Sequence, residues 1–228
     1  MVSDQDVTKL QKADATRQRL LDVSLALFQK HGYEKATMRA IAKAAGLAPG
    51  AAYYHFATKD HIIFDFYRKS FEDHLPGVER ILADEKELGK RIAGAIKAHM
   101  DVAKPFHEMS KTLFQTAIHP DHPLSPFSEE SGPLRERNIA IFKKVVEGTS
   151  SRIPKNLVGK LPEILWLYKM AIIFYWVHDR SPGQKKTFEL IGQGADLIAK
   201  LVSLANLPGI RGLSEKALQL FYRYKTYS

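Results

Sequence analysis

The sequence predicts an all-α fold in which a small N-terminal three-helix unit (residues 1–58, including a loose polar tail) precedes a larger helical unit (59–228). Three observations carry this expectation. Apolar residues return every three or four positions along most of the chain, and no segment shows the strict alternation of a strand. Residues 32–60, GYEKATMRAIAKAAGLAPGAAYYHFATKD, form two short helical patterns around a Gly turn, with a Lys opening a third. Residues 164–177, ILWLYKMAIIFYWV, are apolar on nearly every side and need cover all round.

The first helix is expected over 15–31, with Leu20, Leu27 and Phe28 facing inward and Gly32 ending it. Thr37 is a good N-cap for the second helix, because its hydroxyl accepts from the free N–H groups of the next turn. Met38, Ile41, Ala42 and Ala45 follow at helical spacing, and Gly46 stands where a left-handed residue stops a helix. Pro49 opens the third helix, where its missing N–H is no loss, and Ala52 and Phe56 supply the inward face. Thr58 caps a fourth helix that runs from Lys59 to about Pro76 or beyond and links the two units. Further helices are expected over 87–103, 106–118 and 134–147, with a Pro-rich loop at 119–133. Two long helices, 156–179 and 182–206, close the larger unit, and Ser181, Pro182 and Gln184 give the second the pattern of a capping box. A short helix is expected over 214–224.

Two helices joined by a short turn containing Gly make a helix-turn-helix, whose second helix enters the DNA major groove. Small residues at Ala42, Ala45 and Ala52 let the pair approach closely. The outward face of the second helix carries Pro49, Gly50, Ala51, Tyr53, Tyr54 and His55, so a DNA backbone or base edge can come near. Charge agrees: residues 15–59 hold seven Lys or Arg against two Asp or Glu, a net +5 of the chain's +9. The competing reading is a helical hairpin inside an ordinary bundle.

The apolar helix over 156–179 points to a partner subunit, because one of its faces would otherwise meet water. The predicted seam takes Trp166, Met170 and Phe174 from this helix and Ile191, Gly194, Ala195 and Ile198 from the next. Phe106, Met109, Phe114, Phe142, Tyr168 and Trp176 are candidates for an apolar ligand pocket between helices, and equally for ordinary core.

Residues 15–60 resemble the DNA-binding domain of the tetracycline-repressor (TetR) family, through RQRLLDVSLALFQKHGY, TMRAIAKAAGL and GAAYYHFATKD. The remainder is similar to that family in architecture only. Two positions depart from the family pattern. Ala48 stands where Ser or Thr is usual, so the recognition helix lacks its side-chain cap; Ala52 stands where Leu or Ile is usual, so the core there is less filled. The resemblance implies phosphate contacts for Thr37, Tyr53, His55 and Lys59. It implies base-edge positions for Arg39, Pro49, Gly50, Ala51 and Tyr54, with the Arg39 fork suited to guanine. It further implies an N-terminal helix-turn-helix DNA-binding domain plus a C-terminal helical regulatory and dimerisation domain. The expected protein is a homodimeric repressor that binds a palindromic operator in double-stranded DNA and is released by a small, largely apolar effector. In it, the last two long helices pair with their copies as a four-helix bundle. The rivals are an architectural DNA-binding protein without effector, and a helical carrier or enzyme with a coincidental hairpin.

Other classes find little support. The longest apolar run, 164–177, holds 14 residues with a Lys inside, a length typical of a buried core helix rather than a span. The first 18 residues have mixed charge and no apolar centre, unlike a secretion signal. There is no cysteine, hence no disulfide and no thiolate metal site. A cytoplasmic protein that is not an enzyme and carries no cofactor or metal is expected. Gly192-Gln193-Gly194 follows no strand and lacks the third Gly of a dinucleotide site; His119 and His122 sit in a loop without a fixed frame; no Gly-x-Ser-x-Gly turn occurs.

Overall fold

The computed structural model describes residues 4–119, 121–205, 207 and 211–224. Among them every regular element is helical: α1 (Asp4–His31), α2 (Met38–Ala44), α3 (Pro49–His55), α4 (Lys59–Asp84), α5 (Leu88–Ala103), α6 (His107–Ala117), α7 (Gly132–Glu147), α8 (Lys155–Val158), α9 (Leu161–His178), α10 (Lys185–Leu204) and α11 (Arg211–Tyr224).

The punctuation expected at the N-terminus is present. Gly32 and Gly46 adopt left-handed backbone angles, φ +82° and +66°, and end α1 and the α2 turn. Thr37 Oγ1 accepts from Ala40 N at 3.1 Å, and Thr58 Oγ1 accepts from His61 N at 3.3 Å. Ala48 makes no side-chain cap, so α3 begins on Pro49 alone. The tail is not loose from Asp4 onward, because α1 reaches back through 28 residues. No Gly or Pro interrupts those turns, but they carry no apolar stripe, so hydrophobic periodicity does not register them.

Further along, α4 runs straight through Pro76 for 26 residues. The long helix expected at 156–179 is two pieces: α8 ends at Gly159, and α9 restarts with Pro162 in its first turn. The capping box expected at Ser181 does not form. Residues 182–184 make a single 3₁₀ turn, with Gly183 and Gln184 left-handed. Asp179 caps α10 from outside, accepting from Thr187 N at 2.9 Å and Thr187 Oγ1 at 2.7 Å, while Ser181 Oγ accepts from Lys186 N at 3.1 Å. Burial raises that carboxyl's pKa, but the bonds from Thr187 and Ser181 outweigh it and draw it down to about 2. The expected end of this helix at Asn206 lies outside the described residues, as does Pro120 in the Pro-rich loop.

Two large apolar cores form among the described residues, and α4 enters both. The first joins Leu20, Phe28, Ile41, Ala52 and Phe56 of α1–α3 with Ile62, Ile63 and Phe66 of α4 and Met109 and Leu113 of α6. The second joins Phe71 and Val78 of α4 with α5, α7, α9 and α10 around Ile92, Phe142, Trp166 and Ile191. Beside it, Arg91 on α5 closes two helix ends. Its guanidinium donates to Leu82 O and Glu85 O at the end of α4, at 2.8 and 2.6 Å, and to Lys144 O and Val145 O near the end of α7, at 2.8 and 2.9 Å. A Cβ at Gly148 would collide with that guanidinium. Since each buried carbonyl left unpaired costs about 1–3 kcal/mol, Arg91→Met is expected to destabilise by about 3 kcal/mol or more. Thermal denaturation should show a midpoint lower by about 6–12 °C, and Gly148→Ala should shift it the same way by a smaller amount.

Candidate nucleic-acid interface and ligand cavity

On α3, Ala52 and Phe56 are fully buried, whereas Pro49, Gly50, Tyr53 and Tyr54 face solvent. Tyr54 is 84 % exposed and lies edge-on to His55, with ring centroids 5.3 Å apart. Ala51 and His55 sit half-buried at the flank of that face. Nothing lies within 4 Å of a Cβ built on Gly50. Thr37 and Arg39 are exposed at the start of α2. The capping bond of Thr37 uses its oxygen as acceptor and leaves its O–H to donate outward.

Lys59 behaves differently from its neighbours. Its Nζ donates to Tyr33 O at 2.8 Å and to Glu34 O at 3.4 Å, and lies 4.4 Å from the Tyr33 ring centroid. It therefore ties the start of α4 to the turn between α1 and α2, with one N–H left for an outside partner. Tyr33 adds to the tie by a hydrogen bond to Asp60. A second tie was not read from the sequence. Arg17 of α1 lies 4.2 Å from the Phe56 ring centroid and donates to His55 O and to Asp65 Oδ2, both at 2.9 Å. Arg68 donates to the other Asp65 oxygen at 2.8 Å. Burial pushes the Asp65 carboxyl up, yet the bonds and charges of Arg17 and Arg68 hold it below its ordinary value. The end of the recognition helix is thus fixed to α4 through one buried carboxylate.

A cavity of about 490 Å³ lies where α4, α5, α6, α7 and α9 meet, covered by the 121–131 loop. Of the expected pocket residues, Phe114 and Trp176 line it and the other four do not. Phe106 and Met109 pack into the first core, the former edge-on against Phe66, and Phe142 is buried in the second. Tyr168 turns away to donate to Leu190 O and Ile191 O of α10, at 3.0 and 3.2 Å.

The residues expected at a seam are also redistributed. Trp166 and Met170 line the cavity instead, and Phe174 reaches its mouth while staying exposed. Trp166, Ile191 and Ala195 are buried inside the protomer's own core, so their side chains have no surface for a partner. Gly194 is small because Tyr168 of the same chain crosses it, and Ile198 packs half-buried against the core. Apolar periodicity finds stripes on a helix, but it does not say which stripe faces inward. Exposed apolar side chains on these helices are Leu190, Leu197, Leu201 and Leu204 of α10 and Phe174 and Tyr175 of α9.

The least expected lining residue is Lys169, buried among aromatic side chains at 4 % exposure. Its Nζ donates to Asn138 Oδ1 at 2.6 Å. Its signal in the sequence was the single charge inside ILWLYKMAIIFYWV. Burial pushes its pKa down to about 7. Burial and the Lys169 charge together lower His74 to about 4 and hold His99 well below the ordinary imidazole value. His122, one of the discounted loop pair, accepts from Leu124 N through Nδ1 at 3.1 Å. Among the described residues no group of three His, Cys, Asp or Glu is placed to hold a metal, and no helix is long and apolar enough to cross a membrane.

A buried Lys whose folded pKa lies below its unfolded value destabilises the fold in full at low pH, and the penalty lifts as pH rises from about 7 towards 10.5. Wild-type stability should therefore climb between about pH 7 and 9. Lys169→Met should flatten that rise and be more stable at pH 7 by about 1–4 kcal/mol, as measured by thermal or urea denaturation across the pH range. Neutral His74 adds a loss of stability as pH falls from about 6.5 to 4, which the Met variant should retain.

The comparisons with known proteins agree with this arrangement. Residues 20–65 match the family described as bacterial regulatory proteins, tetR family, and residues 91–218 match the tetracyclin repressor-like C-terminal domain. The HTH-type transcriptional regulator AcrR of Shigella flexneri is 42% identical over 60 residues, covering 26% of this chain and 28% of that protein. The HTH-type transcriptional repressor KstR of Rhodococcus jostii is 43% identical over 56 residues, covering 25% of this chain and 26% of that one. The chain thus aligns with little more than a quarter of the length of these curated relatives. Solved structures extend the likeness of fold. A putative TetR-family regulator from Syntrophomonas wolfei superposes with TM-score 0.65 at 18% identity, over 82% of this chain and 95% of that one. A TetR regulator from Nitrosomonas europaea gives 0.62 at 15%, over 79% and 96%. With the C-terminal match spanning more than half its length, the chain belongs to the TetR family of bacterial regulatory proteins.

Proposed function

We propose that this protein is a homodimeric transcriptional repressor that binds a palindromic operator and releases it when a small, largely apolar ligand fills the cavity. The observation that carries the reading is the position of α4. Its first turns pack under the recognition helix, and Phe66, Tyr67, Ser70 and Phe71 of the same helix line the cavity. In this reading Tyr54, Arg39, Pro49, Gly50 and Ala51 meet base edges, and Thr37, Tyr53, His55 and the remaining N–H of Lys59 meet phosphates. A cavity in the size range of ligand sites favours this over an architectural protein without effector. The 1–58 and 59–228 units describe the division of labour, and the shared helix α4 is the lever between them.

Tyr54→Ala and Arg39→Ala should each weaken binding to a selected palindrome by about 1–3 kcal/mol with little change in thermal stability. Gly50→Val should do the same, because its side chain meets only the space that DNA would fill. Fluorescence anisotropy against selected and random duplexes measures this. No preference between the two duplexes in the wild-type protein would contradict the reading.

The dimer is assigned to the leucine row of α10 with Phe174 and Tyr175 of α9, exposed apolar side chains on the last two long helices. Replacing Leu197 and Leu201 together by Glu should yield a folded monomer by sedimentation, with operator affinity reduced by at least about tenfold. A wild-type protein that sediments as a monomer at micromolar concentration would remove this interface.

A further inference from the structure

We infer that the cavity is built for an organic carboxylate with an apolar body, its anionic head bound at Lys169 and its tail lying among Phe114, Phe127, Trp166 and Phe174. This rests on the ligand-released reading above and names the ligand's chemistry.

The charge balance of the lining carries the argument. The cavity wall includes two basic side chains, Lys169 and Arg135, and no Asp or Glu. Arg135 donates to Pro126 O and Ser128 O, each at 3.0 Å, which shapes the loop over the cavity. Lys169 has no such framework: the bond described for its ammonium goes to the neutral amide of Asn138. An ammonium in apolar surroundings without a counter-charge is unfavourable, and burial draws the Lys169 pKa down to about 7 in response. A neutral ligand would leave the amine without a counter-charge, and a cationic one would oppose its protonation. A single carboxylate pairs with the single ammonium and accepts charge-assisted hydrogen bonds from it.

A second observation points to the same end of the cavity. His99 Nδ1 is fully buried with no hydrogen-bond partner, and its ring feels the Lys169 charge. A neutral imidazole with its proton on that nitrogen is a ready donor to the second carboxylate oxygen. The rest of the wall is aromatic and aliphatic, and a volume of about 490 Å³ suits a medium-length alkyl chain or a fused-ring body. The groups facing the Lys169 ammonium are His74 on α4, His99 on α5 and Asn138 on α7, none of them acidic. A bound carboxylate would therefore raise the affinity of Lys169 for its proton, and binding near pH 8 should take up as much as one proton.

The test uses full-length protein without DNA, titrated calorimetrically with dodecanoate and with dodecan-1-ol at pH 8, in two buffers of different ionisation heat. The expected result is that dodecanoate binds at least about tenfold more tightly than the alcohol, with proton uptake visible as a buffer-dependent heat. In Lys169→Met the preference should vanish while the alcohol binds as well as before or better. Equal affinity for acid and alcohol in the wild-type protein, no binding of dodecanoate, or a preference that survives in Lys169→Met would each overturn the inference. Operator release is read separately by anisotropy. Release by the alcohol with no acid preference keeps the repressor reading and removes the carboxylate; tight acid binding without release does the reverse.

Discussion

Asp65 is the point on which the arrangement depends. It is a buried carboxylate on α4, held on one side by Arg17 of α1 and on the other by Arg68 of its own helix. Arg17 also holds the carbonyl of His55, the last residue of the recognition helix. Breaking one member of such a network leaves an uncompensated buried charge, so the three helices are expected to move together or not at all. Lys59 and Tyr33 make a second fastening at the start of α4. The short α3, without a side-chain cap and with only Ala52 buried in its interior, takes its position from these ties more than from its own stability.

The cavity shows the opposite economy. The first core fastens its charges, whereas the second leaves Lys169 buried beside a neutral amide and leaves His99 Nδ1 and Trp176 Nε1 without partners. Buried polar groups left unsatisfied are unfavourable for folding and are found where function needs them. The stability cost lies next to residues of α4 that line the same space, within two turns of Asp65. A ligand that relieves it would do so against the first half of α4, whose opening turns support α3, and so could supply the differential interaction that the proposed switch requires.

Much of the N-terminal unit was legible in the sequence because its signals are local. Thr37, Gly46, Pro49 and Thr58 each act on their own turn, and the structure places each as a cap, a stop or a helix start. The tail helix from Asp4 was not legible, since a solvated helix writes no apolar stripe. Nor was the start of α10, where Asp179 and Ser181 accept from Thr187 N and Lys186 N in place of a capping box and Gln184 turns left-handed. In the larger unit the existence of the helices could be read, but not their rotation. Trp166, Met170 and Phe174 are apolar at the right spacing for a seam or a cavity, and only the packing of α6 and α7 against α9 decides between them. Lys169 was visible as an interruption, but its significance depends on Asn138, 31 residues away.

The central claim is that cavity and recognition helix communicate through α4 and its Arg17–Asp65 fastening. The most direct measurement is the operator affinity with and without saturating dodecanoate, in the wild-type protein and in Arg17→Gln. The account predicts that dodecanoate weakens the wild-type complex by about tenfold or more. In the variant, whose α3 no longer answers to α4, that factor should be markedly smaller, whatever its affinity without ligand. An identical factor in both proteins, or none in the wild type, would contradict it.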